Sequence, residues 1–411
     1  MAESAKSQFE IVIVGGGAGG IGAAASLLKR RPGLKIAIVE PRDAHFYQPG
    51  WTMVGAGIFS FEETKRAEEP LIPRGATWVR SAVTSFSPDT NEVVLDDGRR
   101  IGYSVLIAAP GLKLDWDRIS GLQDALGKDG VASNYKEGLA PYTWELVKAM
   151  KKGTAIFTMA PMPIKCAGAP QKALYLSCDY WKRQSVLKDI DVWFCNANAA
   201  LFGVADYVPA LMEYIKAYNV HLELGENLVA IDAKAKAATF EKKAADGTAT
   251  RTVRKFDFIH VCPPQGPLDV VKASPLGNAA GWIDVNQDTM QHVKYANVFA
   301  LGDAASTPNA KTAAAVRKQT PIVAENVLAF LDKGALPRKY TGYGSCPLTV
   351  ERGKIVFAEF GYGGKLQPTF PKWAIDGLKP SRNAWFLKER VLPMVYWDFL
   401  LKGREWLTES R

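Results

Sequence analysis

Residues 9–40 read FEIVIVGGGAGGIGAAASLLKRRPGLKIAIVE. The β-branched run at 9–14 has the composition of a strand buried on both faces, and KIAIV at 35–39 repeats it. Between them, 21–31 reads as a helix of small residues, ended by Pro32 and Gly33. Strand, helix and strand within about thirty residues make one βαβ unit. At its first turn Gly15, Gly17 and Gly20 stand in G-x-G-x-x-G spacing, with Ala18 and Gly19 inside it, and Glu40 closes the second strand. Glycine-rich turns are common, so the spacing alone says little. In this setting each part has a task. The glycines let main-chain amides approach a pyrophosphate, the helix N-terminus offers partial positive charge, and the carboxylate accepts hydrogen bonds from ribose hydroxyls. The segment binds a dinucleotide.

The rest of the chain is consistent with a large folded protein. Its 411 residues allow two or three domains and an ample core. A hydrophobic fraction of 47% and a charged fraction of 23% exclude disordered, collagen-like and coiled-coil chains. No apolar run approaches the roughly 18 residues of a membrane-spanning helix. Cys166, Cys178, Cys195, Cys262 and Cys346 contain no CxxC pair, and the four histidines are scattered, so neither a disulfide scaffold nor a metal site is expected. The N-terminus leads straight into a strand without an apolar signal region, which disfavours a secreted or organelle-imported precursor.

Further strands are read at 93–95 and 105–109, joined by a turn at Asp97 and Gly98. A second α/β pattern follows, with strands at 154–158, 191–195 and 258–262 and helices at 173–181 and 208–218. VFALGD at 298–303 is a strand entering a turn, and a helix runs from about Thr312 to Leu331. The expected class is α/β: two Rossmann-like dinucleotide-binding domains followed by an amphipathic, membrane-associating C-terminal region. The expected boundaries are 1–112 and 275–335 for the two parts of the first domain, 113–274 for the second, which carries Cys166, and 336–411 for the tail, which carries Cys346.

VFALGD, with Gly302 and Asp303, resembles the second flavin motif of two-dinucleotide-binding-domain flavoproteins, and AAPG at 108–111 resembles their crossover between domains. The resemblance implies FAD in the first site. The second unit lacks its own glycine fingerprint. After 154–158 comes MAPMPIKCAGAP at 159–170, with one glycine and three prolines. Prolines lack amide donors and stiffen the loop, so a second pyrophosphate finds little to bind. Electrons are expected to enter from something other than NADH.

Four segments carry a more specific likeness: PIKCAGAPQK at 163–172, EPRDAHFYQP at 40–49, KTAAAV at 311–316 and GYGSCPL at 342–348. Together they resemble sulfide:quinone oxidoreductases, the mitochondrial branch above all, over about residues 9–402. The resemblance implies that Cys166 and Cys346 are a redox-active pair beside the flavin, with Cys346 carrying a persulfide and Cys166 attacking the flavin ring. It implies pyrophosphate contacts at Gly17, Ala18 and Gly19, a ribose ligand at Glu40 and further flavin contacts at Gln48, Val83, Asp303 and Lys311. The implied partners are hydrogen sulfide, a small nucleophilic sulfur acceptor, and ubiquinone or another quinone. A homo-oligomer is left open. Lys165 is positioned in sequence to lower the pKa of Cys166, and Lys311 to stabilise an anionic reduced flavin. Cys178, Cys195 and Cys262 sit in helix or strand contexts and read as small buried hydrophobes. His45, His221, His260 and His292 read as packing or hydrogen-bonding residues.

The tail is basic and aromatic. Residues 331–411 hold 14 basic and 8 acidic residues and four of the 11 tryptophans. Trp385, Leu387, Val391, Leu392, Val395, Phe399 and Leu400 recur near helical spacing, with Pro393 expected to divide two short helices. Such a face is expected to lie on a membrane lipid surface, with its basic residues at the headgroups. No nucleic-acid motif accompanies the charge. Phe360 and Tyr362 are the aromatic candidates for the quinone, and the expected location is the surface of a respiratory membrane, the bacterial inner membrane in particular. The alternatives are a type II NADH:quinone oxidoreductase, a sulfide dehydrogenase subunit serving a haem partner, and a flavin scaffold without chemistry.

Overall fold

The computed structural model describes residues 7–408. The opening run forms the strand Ser7–Val14, flanked in parallel by Ile36–Val39 and Arg100–Ala108, with Ile11 opposite Ile36 and Ile13 opposite Ile107. Ala76–Val79 extends one side. On the other side Arg100–Ala108 is shared. Its first residues pair antiparallel with Glu92–Leu95 and its last in parallel with Val298–Ala300. Both faces are covered, which is why these strands are apolar throughout rather than alternating. The parallel arrangement brings the C-terminal ends of Ser7–Val14, Ile36–Val39 and Val298–Ala300 to one edge of the sheet. Gly15, Glu40 and Gly302 therefore meet there, although they are far apart in sequence.

A second parallel sheet runs Val131–Ala132, Phe258–His260, Gly153–Met159, Ile190–Asn196, His221–Leu224, and a three-stranded antiparallel meander at 226–255 follows it. Its core is dominated by Phe157, Phe194 and Trp181. The antiparallel strands Gly344–Glu351 and Lys354–Phe360 form a hairpin that joins the two halves. Side chains alternate along each strand. Cys346, Leu348, Val356 and Ala358 enter the second core, while Phe357 packs with the C-terminal segment.

That segment corrects two expectations. Pro393 does not divide it. Helical backbone continues from Arg382–Phe386 to Leu400–Lys402, with two wider π-type stretches, Leu387–Val391 and Val395–Phe399, on either side of the proline. Wider turns relieve the clash between a proline ring and the preceding turn. Nor does the apolar face lie open for lipid. Trp385 and Leu387 pack on Met53 and Phe357, and Tyr396, Trp397 and Leu400 on Ile21 and Tyr47. Val391, Leu392 and Phe399 are half-buried. Burying this surface against the protein's own core removes it from water without lipid. The most exposed apolar side chains of the C-terminal region are Trp373 at 89%, Phe386 at 62% and Met394 at 47%. No helix among the described residues is long and apolar enough to cross a membrane.

Candidate active site

The first turn, the Cys166 loop, the hairpin and the C-terminal run enclose a cavity of about 450 Å³. Its glycines are not interchangeable. Gly15 has φ +104° and passes so close to Ala109 that a Cβ would lie 2.4 Å from that carbonyl oxygen, and a Cβ on Gly20 would lie 1.8 Å from the Gly15 oxygen. These two let the helix Ala18–Arg30 sit tightly on the strand. Gly17 is different: a Cβ there would meet nothing within 4 Å, because its backbone faces the cavity. Gly17 is the N-cap of that helix and no side chain caps it. The helix thus presents uncapped amides and its positive end to the cavity.

Glu40 accepts from the Gly16 amide at 2.7 Å and the Arg42 amide at 2.9 Å. Burial raises its pKa against those two hydrogen bonds. Asp303 lines the same cavity, and burial raises its pKa while Lys311 opposes the rise. Lys311 donates to the main-chain oxygens of Asp303 at 2.8 Å and Ala305 at 3.0 Å, and burial brings its pKa down to about 8. Gln48 also lines the cavity and receives the Lys165 ammonium. Val83 begins the strand Val83–Ser87 and is not on the cavity wall.

The loop after Gly153–Met159 carries Cys166 into the cavity with φ +48°, its amide donating to the Lys311 oxygen at 2.8 Å. The helix Ala169–Arg183 starts three residues later. Cys346 reaches Cys166 from the hairpin, and its thiol donates to the Cys166 sulfur, both cysteines being free. That bond is the largest cause of a Cys166 pKa well below the ordinary thiol value. The Lys172 ammonium, 3.3 Å from the sulfur, adds to it, while burial works in the other direction. Cys346 is held up as the thiol partner. The lysine in contact is Lys172, in the first turn of that helix, rather than the neighbouring Lys165. A residue adjacent on a loop points elsewhere, whereas the helix returns position 172 to the sulfur. Lys172 ends the motif at 163–172, which does not single it out as the charge beside the sulfur, and Lys388, which donates to the Pro49 oxygen at 2.8 Å, lies outside every motif.

Phe360 turns to Phe202 at 5.9 Å and Tyr362 donates to the Gln287 oxygen; neither lines the cavity. Strand alternation puts Phe357 and Glu359 there instead, joined by Phe370 and Leu392. Cys178, Cys195 and Cys262 are buried, and burial lifts the Cys262 thiol to about 11. His260 accepts from the Asn134 amide, His292 contacts the Leu276 oxygen, and His221 stacks on Trp193.

The wall holds buried polar atoms without partners among the described residues, namely Trp51 Nε1, Thr52 Oγ1, Glu68 Oε1, both amide atoms of Asn134 and Ser345 Oγ. With the open Gly17, they fit a large polar ligand such as a dinucleotide. At the second domain the helix N-terminus that would cradle another pyrophosphate is covered, since a Cβ on Gly168 would lie 2.5 Å from Leu348.

A chain organised this way is a two-dinucleotide-binding-domain oxidoreductase with a thiol pair in place of its second nucleotide cradle. No family model matches the chain. It is 43% identical to a mitochondrial sulfide:quinone oxidoreductase from Dictyostelium discoideum, over 97% of this chain and 87% of that one, and 38% identical to the Mus musculus protein of the same name, over 97% and 88%. The chain belongs to the sulfide:quinone oxidoreductase family. Two solved structures share the fold. A chain of the Tetrahymena thermophila mitochondrial ATP synthase assembly has TM-score 0.84 at 21% identity, covering 98% of each chain. The Aquifex aeolicus sulfide:quinone oxidoreductase has TM-score 0.76 at 20% identity, covering 97% of this chain and 91% of that one. The expectation of a bacterial inner membrane gains no support from relatives named as mitochondrial enzymes.

Proposed function

We propose that this enzyme oxidises hydrogen sulfide at Cys166 and Cys346 and passes the electrons through FAD to a membrane quinone. The observation that carries the reading is the thiol pair itself, with Cys166 as a thiolate against Lys172 on the wall of the cavity that holds the glycine turn. FAD, when bound, supplies the two-electron carrier between sulfur and quinone. Glu40 and the amides after Gly17 would hold it, with Asp303 and Gln48 on the same wall.

The unequal surroundings of the two sulfurs support one order of events. In disulfide exchange the sulfur attacked is the one whose partner leaves more readily, and the lower-pKa thiol leaves faster. Hydrosulfide therefore attacks the Cys346 sulfur of the oxidised pair. The bond between the cysteines breaks, Cys166 departs as the thiolate with that bond's electron pair, and Cys346 bears the persulfide. Lys172 and the N-terminus of Ala169–Arg183 stabilise the departing charge. A small nucleophile takes the outer sulfur. Re-forming the bond between Cys166 and Cys346 releases two electrons, and the quinone takes up two electrons and two protons.

Phe357, Phe370 and Leu392 give the cavity an apolar stretch suited to the quinone ring. On the outside of the same C-terminal region, Trp373, Phe386 and Met394 stand exposed beside Lys372, Arg382 and Arg390, a pattern suited to a lipid interface. The covered helix N-terminus at Gly168 weighs against the NADH:quinone alternative. An anaerobic titration of the detergent-purified protein tests the proposal. Sulfide is expected to bleach the oxidised flavin band and added quinone to restore it, while NADH leaves it unchanged. Bleaching by NADH alone would overturn the assignment of both cysteines.

A further inference from the structure

Glu68 lies on the cavity wall and is 1% exposed. Its Oε2 faces His45 Nδ1 at 3.2 Å, and His45 Nε2 is 2.7 Å from the Tyr396 hydroxyl. A carboxylate only accepts, so Nδ1 carries the proton. Nε2 of the neutral ring then accepts from the Tyr396 hydroxyl. Both donors in this chain point toward Glu68. The other oxygen, Oε1, has no partner among the described residues. Buried carboxylate oxygens are seldom left without a donor.

Gly16 fixes where that oxygen lies. A Cβ built on Gly16 would stand 2.5 Å from Glu68 Oε1 and 2.6 Å from Glu40 Cγ. Two carboxylates thus flank the first turn. Glu40 is already engaged by the amides of Gly16 and Arg42, whereas Glu68 keeps one acceptor oxygen free for a ligand. The far end of the chain, Tyr396, belongs to the C-terminal run that also gives Leu392, Val395 and Leu400 to the cavity wall.

We propose that Glu68 is a second hydroxyl ligand for the adenosine ribose of the bound dinucleotide, beside Glu40. His45 and Tyr396 are its positioning residues, and through them cofactor binding and docking of the C-terminal run reinforce each other. The inference rests on the FAD reading above. It also gives the turn a selectivity, because a phosphate on that ribose would face two carboxylates.

The test uses the purified full chain, stripped of flavin and titrated with FAD and, separately, with FMN, which lacks the adenosine half. Losing one hydrogen bond to a charged group predicts about a tenfold weaker FAD affinity in Glu68→Gln, with FMN affinity unchanged. In the wild type, FAD is expected to slow tryptic cleavage within 382–404, and Tyr396→Phe to lessen that protection. Equal FAD affinity in Glu68→Gln and wild type overturns the ribose contact, as does an equal loss for FMN. If Glu68→Gln does not fold, Tyr396→Phe decides: unchanged FAD affinity together with cleavage insensitive to FAD overturns the inference. A folded wild type that binds no FAD would instead remove the cofactor reading on which it rests.

Discussion

The Lys172 ammonium stands 3.3 Å from the Cys166 sulfur, while Lys165, next to that cysteine in sequence, turns away to Gln48. Lys172→Met is therefore expected to raise the Cys166 pKa and to cut its thiolate fraction several-fold at pH values below that pKa. Lys165→Met should move it less. Alkylation rate against pH, read on the reduced protein, measures both. Equal shifts from the two variants would count against the geometry.

Replacing either cysteine separates chemistry from cofactor binding. Cys166→Ser and Cys346→Ser are each expected to keep their flavin and lose its bleaching by sulfide. Cys178→Ser should bleach like the wild type, because that thiol is buried and burial holds its pKa well above the ordinary thiol value. Bleaching at the wild-type rate in either member of the pair would end the dithiol mechanism.

Lys388 is 2% exposed, and burial brings its pKa down to about 7. The unfolded chain, near the ordinary value of 10.5, binds the proton more tightly, so stability rises with pH between these two values. The cost of the buried ammonium is full below about pH 7, on the order of a few kcal/mol, and has faded by about pH 10.5. Wild-type stability relative to Lys388→Met should accordingly increase from pH 7 to pH 10. Denaturant titrations at several pH values give that difference, and a flat one would contradict it.

Phe357 and Phe360 lie on opposite faces of one strand. Phe357→Leu is expected to raise the KM for quinone several-fold without changing the rate of flavin reduction by sulfide. Phe360→Leu should leave both unchanged and act on stability through its contact with Phe202. Steady-state and stopped-flow measurements on the two variants discriminate the faces.

Trp373, Phe386 and Met394 are the most exposed apolar groups of the C-terminal region. Changing all three to Ser should release the protein from liposomes containing anionic lipid while leaving flavin content intact. Co-sedimentation measures the loss, and full retention on the vesicles would place the contact elsewhere.

Residues 9–40 were enough to read the nucleotide fold, because each of its determinants is local. A run of β-branched residues, a glycine turn and a carboxylate at a strand end act within one βαβ unit. The cysteine pair was legible from motif likeness, and the buried state of Cys178, Cys195 and Cys262 from their helix and strand contexts. The tail was only half legible. Periodicity reports that a helix face is apolar, but lipid and the protein's own core satisfy such a face equally well. Here Met53, Ile21 and Tyr47 cover it, and Trp373, Phe386, Met394 and Leu407 remain outside.

Other features were decided by tertiary structure alone. Glu68, and Lys388 and Tyr396 of the C-terminal run, belong to no motif, and Lys172 closes the segment 163–172 without its role being readable there. They gain their roles where a helix N-terminus, a hairpin and a C-terminal run converge on one cavity. Phe357 rather than Phe360 faces that cavity because strand register selects one of two alternating faces, and the sequence carries both. Local order is encoded by neighbours along the chain. The charge beside a sulfur is set by whatever the fold brings within a few ångströms of it, at any separation in sequence.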